Sequence, residues 1–99
     1  MATTSSAPLF AALTHTVVAR QAVIPAVERP LVLELCYEAV VSAWDITADD
    51  LSADAGSRAA AAAELLLDLI CPELAPAVRT DLAAACARIA TDQRWSLPS

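Results

Sequence analysis

The pattern of apolar and polar positions along the chain predicts four α-helices. In residues 8–23, apolar residues recur every three to four positions, which places them on one side of a helix. Pro25 is expected to end this helix because proline cannot donate a backbone hydrogen bond. The same reasoning predicts helices at residues 30–44, 57–71 and 76–92, with a short helical turn near residues 48–54.

The four predicted helices differ in how much of their circumference is apolar. The first and fourth have an apolar stripe and a polar face, as expected of helices that pack against a core on one side. The second and third are apolar over most of their surface. Their polar positions form one narrow sector each: Glu34, Glu38, Ser42 and Asp45 in the second, and Ser57, Glu64 and Asp68 in the third. Four helices offer too few neighbours to enclose both.

This surplus of apolar surface predicts an interface with another protein. Left exposed, it would exceed the few hundred Å² that is usual on monomers. A homodimer with twofold symmetry is the simplest solution, and a larger protein partner is the other. The candidate interface residues on the second and third helices are Leu33, Tyr37, Val40, Trp44, Leu66 and Ile70.

Composition supports a single all-α domain. The 99 residues include 24 alanines and one glycine, and aromatic residues make up 4%. Strands favour β-branched and aromatic residues, and tight hairpins favour glycine or asparagine, so a β-rich fold is not expected. We expect a helical domain at residues 8–95, a flexible leader at 1–7 and a C-terminal tail at 96–99. Trp95 either folds back onto the domain or belongs to a docking segment.

Charge and hydropathy exclude several classes of partner. The net charge of −6 opposes binding to nucleic acid, which requires clustered cations. The longest apolar run, residues 59–70, contains two carboxylates and is shorter than the roughly 20 residues of a membrane span. Residues 1–8 carry no basic residue ahead of the apolar segment and do not resemble a secretory signal. We therefore expect a cytoplasmic protein without a membrane span.

Few residues are candidates for catalysis or metal binding. His15, the single histidine, falls opposite the apolar stripe of the first helix. Cys36, Cys71 and Cys86 lack CxxC spacing and occupy apolar positions, which predicts reduced thiols in the core. Zinc and di-iron sites need several ligands at set spacings. We therefore expect no enzymatic activity, no metal and no cofactor.

Acidic residues form a predicted surface on the second helix and the loop after it: Glu34, Glu38, Asp45, Asp49, Asp50 and Asp54. This surface either contacts a basic partner or keeps one side of an apolar helix solvated, and Arg20 is a candidate for pairing with it. Calcium binding is not expected. An EF-hand loop that starts at Asp50 requires glycine at its sixth position and glutamate at its twelfth, where Ala55 and Ala61 stand.

Gly56 and Ser57 lie at the start of the third helix, after this acidic loop. In a small acidic four-helix chain, that arrangement resembles acyl and peptidyl carrier proteins. The resemblance covers about residues 31–92 and implies a phosphopantetheine arm on Ser57. The family's Gly-x-Asp-Ser-Leu motif is not reproduced, because Gly56 precedes the serine directly and Arg58 follows it. Alternatively, Ser57 is a helix N-cap.

Together these features predict a non-enzymatic assembly or adaptor protein. It would act through protein contacts of the second and third helices, by self-association or with a larger partner. Two alternatives remain: a divergent carrier domain modified on Ser57, and a protein that binds a small apolar ligand between its alanine-rich helices.

Overall fold

The computed structural model describes residues 7–48 and 54–93. These residues form four α-helices and one short 3₁₀ helix, which confirms the predicted all-α bundle. The elements are α1 (Ala7–Ala19), the 3₁₀ helix η1 (Ala26–Glu28), α2 (Arg29–Ile46), α3 (Ala55–Ile70) and α4 (Pro76–Gln93). Residues 1–6 of the predicted leader, the tail with Trp95 and most of the turn near residues 48–54 lie outside the described residues, whereas Ala7, predicted to belong to the leader, is the first residue of α1.

The first helix is shorter than predicted. It ends at Ala19, and residues 20–23 form tight turns in which Arg20, Gln21 and Val23 donate backbone hydrogen bonds three residues back. This change of direction brings Ile24 into the core, where it is 1% exposed. Burial of a large side chain thus explains why the helix ends before Pro25.

The third helix begins two residues earlier than predicted. Asp54 is its N-cap, with a side-chain oxygen accepting the backbone N–H of Ser57 at 3.1 Å. The prediction that Ser57 caps the helix is therefore wrong. Both residues can accept such a bond, and only the backbone conformation of Asp54, which is extended, suits the cap position.

α3 and α4 form an antiparallel hairpin. At one end, Gly56 of α3 lies against Ala87 and Thr91 of α4. At the other end, an Arg79 nitrogen lies 3.5 Å from an Asp68 oxygen. The connection between the helices is anchored by Cys71 and Leu74, which are both buried.

Small side chains let these two helices approach closely. The buried face of α3 is formed by Ala55, Gly56, Ala59, Ala63 and Leu67. A Cβ atom added to Gly56 would lie 2.6 Å from the Thr91 hydroxyl and 3.0 Å from the backbone oxygen of Ala87. The single glycine of the chain is therefore required by close helix packing.

α2, like α4, packs against all three other helices of the bundle. Its buried residues are Val32, Leu35, Cys36, Ala39, Val40 and Ala43. Among the described helices, none combines the length and apolar composition needed to cross a bilayer.

Candidate interaction surface

Most of the large apolar side chains of α2 are used inside the domain. Tyr37 makes an edge-to-face contact with Phe10 of α1, with ring centroids 6.5 Å apart. The indole N–H of Trp44 donates to the backbone oxygen of Ala90 in α4 at 3.0 Å. Leu33 is partly buried against the core, and Val40 has no exposed surface. Val40 therefore cannot line an interface of the folded monomer; the structure corrects that candidate, because helices pack around the side of α2 that it occupies.

The exposed apolar surface of α3 is more continuous. Leu65 is 59% exposed and Leu69 is 67% exposed, and they follow Ala61 at four-residue spacing. We call Ala61, Leu65 and Leu69 the α3 ridge. Ile70, at the end of the helix, is 47% exposed, whereas Leu66 is partly buried.

Leu66 and Ile70 were among the predicted interface residues, whereas the two leucines of the ridge were not. A signal for them was present in the alanine run. Ala55, Ala59 and Ala63 follow each other at four-residue spacing and continue into Leu67, and this row is the buried face. Leu65 and Leu69 lie away from that row, so close packing through alanine turns the larger side chains towards solvent.

A groove of about 360 Å³ separates the ridge from α2. Leu65 and Leu66 form its α3 wall, with Ala62, and its α2 wall consists of Leu35, Glu38, Ala39 and Ser42. The groove is therefore apolar at its base and acidic at one rim. Its α2 wall continues one turn towards Leu31, which is 36% exposed.

A second depression, of about 470 Å³, borders the other side of the ridge. Its lining residues are Ala61, Glu64, Leu65, Asp68, Pro76, Arg79 and Thr80. Arg79 also donates to the backbone oxygen of Leu74 at 2.9 Å, which holds its guanidinium near Asp68. Leu65 thus stands between an apolar groove and a charged one.

The predicted acidic surface is only partly described. Glu34, Glu38 and Asp45 are exposed on α2, and Asp54 is the exposed cap of α3, whereas Asp49 and Asp50 lie outside the described residues. Within the described segments, no three side chains of the His, Cys, Asp or Glu type are grouped so that they could hold a metal ion.

Arg20 does not reach the acidic residues of α2. It forms a bidentate ion pair with Asp81 of α4, in which Nε and Nη2 donate to the two carboxylate oxygens. This contact lowers the pKa of Asp81, mainly through the hydrogen bond from Arg20. The predicted pairing is wrong because the turn after α1 directs Arg20 towards α4.

Ser57 is exposed in the first turn of α3, and its hydroxyl donates to an Asp54 carboxylate oxygen at 2.6 Å. That bond, together with the N–H of Ser57, lowers the pKa of Asp54. A shallow depression of about 370 Å³ lies beside these residues and Arg88. The contacts of Ser57 thus stabilise the beginning of α3.

The three cysteines are free and buried. A hydrogen bond with Cys86, together with burial, raises the pKa of Cys36 well above its ordinary range. Burial also raises the pKa of Cys71. The hydrogen bond with Cys36 lowers the pKa of Cys86. Since the thiolate is the nucleophile, the raised pKa values of Cys36 and Cys71 suit packing rather than covalent catalysis by those two thiols.

The chain matches no protein-family model, no curated protein and no solved structure. The candidate function therefore rests on the geometry of the surface described above.

Proposed function

We propose that this chain is a non-enzymatic assembly protein that acts through protein contacts of α3 and the adjoining side of α2, and that it self-associates. The observation that carries this proposal is the α3 ridge, where Leu65 and Leu69 are each more than half exposed. The neighbouring helices α2 and α4 cover the alanine-rich face of α3 and leave the ridge exposed. The ridge therefore accounts for the surplus of apolar surface on α3.

The energetics of burial support association through this surface. Removing a large aliphatic side chain from water is worth about 1.5–3 kcal/mol when burial is complete. Leu65 and Leu69 retain most of that potential gain in the monomer. A partner that covers both residues, and enters the groove beside Leu65, would realise it.

We further propose that the protein works in a reducing compartment such as the cytoplasm. Its three free thiols are buried in the core. Free cysteines inside a small domain are typical of proteins kept in reducing surroundings.

The test compares two glutamate substitutions at similarly exposed apolar positions. Leu65→Glu alters the ridge, whereas Val18→Glu alters α1, where Val18 is 53% exposed. We expect the unaltered chain and the Val18 variant to show a mass near twice 10.3 kDa by light scattering over a dilution series. The Leu65 variant should be monomeric, with an unchanged helical circular dichroism spectrum.

A Leu65 variant that keeps the larger mass would contradict the proposal, since association would then use another surface. Loss of the larger mass in both variants would also contradict it, because the effect would not be specific to α3.

A further inference from the structure

We propose that the partner of the α3 ridge is a second copy of this chain, bound with its α3 antiparallel to the first. Resting on the proposed function, this inference names the occupant and its orientation. The evidence is a self-complementary row of side chains on the outer face of α3: Arg58, Ala61, Leu65 and Asp68.

The spacing of this row is that of a helix-packing seam. Successive intervals of three, four and three residues keep the four side chains on one side of a helix. All four residues are exposed. The buried residues of α3 lie on the opposite side, so the row is directed away from its own bundle.

An antiparallel second copy matches this row in both charge and size. With the twofold axis at the level of Ala63, Arg58 lies opposite Asp68 of the second copy, and Ala61 lies opposite Leu65. Each contact occurs twice by symmetry. The methyl group of Ala61 leaves room for the leucine, which is the alternation of small and large side chains that lets helices interdigitate.

A parallel pair in register lacks this match. It places Arg58 against Arg58 and Asp68 against Asp68, while leaving two leucines and two alanines in separate layers. Like charges at close range are unfavourable, whereas opposite charges across an interface determine which orientation forms. The row therefore selects the antiparallel pair.

The charges at the ends of the row are accessible. Among the described residues, Arg58 has no ion pair, whereas Arg20 is paired with Asp81 and Arg79 with Asp68. The Asp68 side chain is 63% exposed and its contact with Arg79 is 3.5 Å long. Asp68 therefore has a free side from which a second guanidinium can bind.

The test is a charge exchange between two variants, Arg58→Asp and Asp68→Arg. Each alone places like charges at both ends of the antiparallel seam, so we expect its dissociation constant to rise about tenfold or more. Mixed in equal amounts, the two variants restore both opposite-charge contacts. We expect a heterodimer in the mixture, identified by native mass spectrometry and light scattering.

Arg88→Asp is the matched control, because Arg88 is an exposed arginine of α4 with no ion pair among the described residues. It changes the net charge by the same amount as Arg58→Asp and should leave the dimer intact. Circular dichroism of every variant verifies that the helices are retained.

The outcomes separate this inference from the proposed function. If Leu65→Glu dissociates the dimer but each charge variant alone associates as tightly as the unaltered chain, or the mixed variants stay monomeric, the antiparallel pairing is wrong and association through α3 stands. If the unaltered chain is monomeric at all concentrations, the second copy is rejected. Binding of a lysine-rich amphipathic peptide to that monomer would then identify a different class of partner.

Discussion

α2 and α3 are both apolar over most of their circumference. They differ in how many helices pack against them. α2 packs against α1, α3 and α4; Ile46 at its C-terminal end is 64% exposed, and along the rest of the helix Leu31 and Val41 are only 36% and 37% exposed. α3 packs against α2 and α4 and leaves Leu65 and Leu69 more than half exposed. An apolar circumference therefore predicts that other helices will cover a helix on most sides. The packing of the bundle determines how much of that surface the same chain covers.

The largest difference in unfolding free energy is expected between aspartate substitutions at a buried position of α2 and at an exposed position of α3. Val40→Asp puts an unpaired carboxylate at a fully buried position of α2. Burial of an unpaired charge is strongly unfavourable, so we expect a loss of more than about 4 kcal/mol of unfolding free energy, enough to unfold a small domain. Leu65→Asp should leave α3 folded and remove association. Urea denaturation followed by circular dichroism measures the unfolding free energy of both variants, and light scattering measures association.

Similar losses of unfolding free energy in the two variants would contradict this difference between α2 and α3. Leu65 would then contribute to the stability of the monomer as Val40 does. Both samples are measured at the same protein concentration, because dissociation of a dimer by itself lowers apparent stability.

A smaller effect is expected on the inner face of α3, which distinguishes that face from the ridge. Gly56→Ala adds a methyl group where the Thr91 hydroxyl and the Ala87 backbone leave no space. We expect a loss of about 1–3 kcal/mol of unfolding free energy from overpacking. Ala60→Gly, at a partly buried position four residues after Gly56, controls for the change in helix propensity between glycine and alanine.

An unchanged or increased stability of the Gly56 variant would mean that α3 and α4 separate at little cost. In that case the alanine-rich face would not define which side of α3 is buried, and the assignment of the outer ridge would weaken.

The smallest effect concerns the cap of α3 and depends on pH. The pKa of Asp54 is lowered from its ordinary value of 3.8 by hydrogen bonds from Ser57. Its ionised form therefore stabilises the folded state fully above that ordinary value, and this stabilisation is lost as the pH falls through the lowered value. We expect unfolding midpoints in urea to fall less between pH 7 and pH 3 for Asp54→Asn.

Asparagine still accepts the cap hydrogen bond but does not titrate. Equal pH dependence in the two proteins would show that other carboxylates, such as Asp81 in its pair with Arg20, account for the acid sensitivity.

Much of the fold could be predicted from local patterns. The positions of four helices followed from apolar spacing and from the prolines that separate them, and Pro76 begins α4 as predicted. Helix ends were less predictable. The end of α1 at Ala19 depends on the burial of Ile24, and the cap at Asp54 depends on the backbone conformation before α3.

The candidate surface was predictable only in part. The apolar pattern predicted an interface on the second and third helices, which stays a prediction. Its residues included Leu66, which is partly buried, and Ile70, which is exposed. They also included Tyr37 and Trp44, which make contacts inside the domain. Those two side chains contact Phe10 and the Ala90 carbonyl, which are 27 and 46 positions away in the chain. Contacts over such separations leave no trace in the periodicity of either segment.

The amino-acid sequence by itself determined that this protein is helical, that two of its helices are unusually apolar, and that alanine dominates one side of α3. These properties follow from backbone propensity and side-chain spacing, which act within a few turns. Only the tertiary structure decided that three helices pack against α2, whereas two pack against α3 and leave Leu65 and Leu69 exposed to solvent. That outcome depends on which helices become neighbours, and α3 buries the alanine-rich face that lets α4 approach closely.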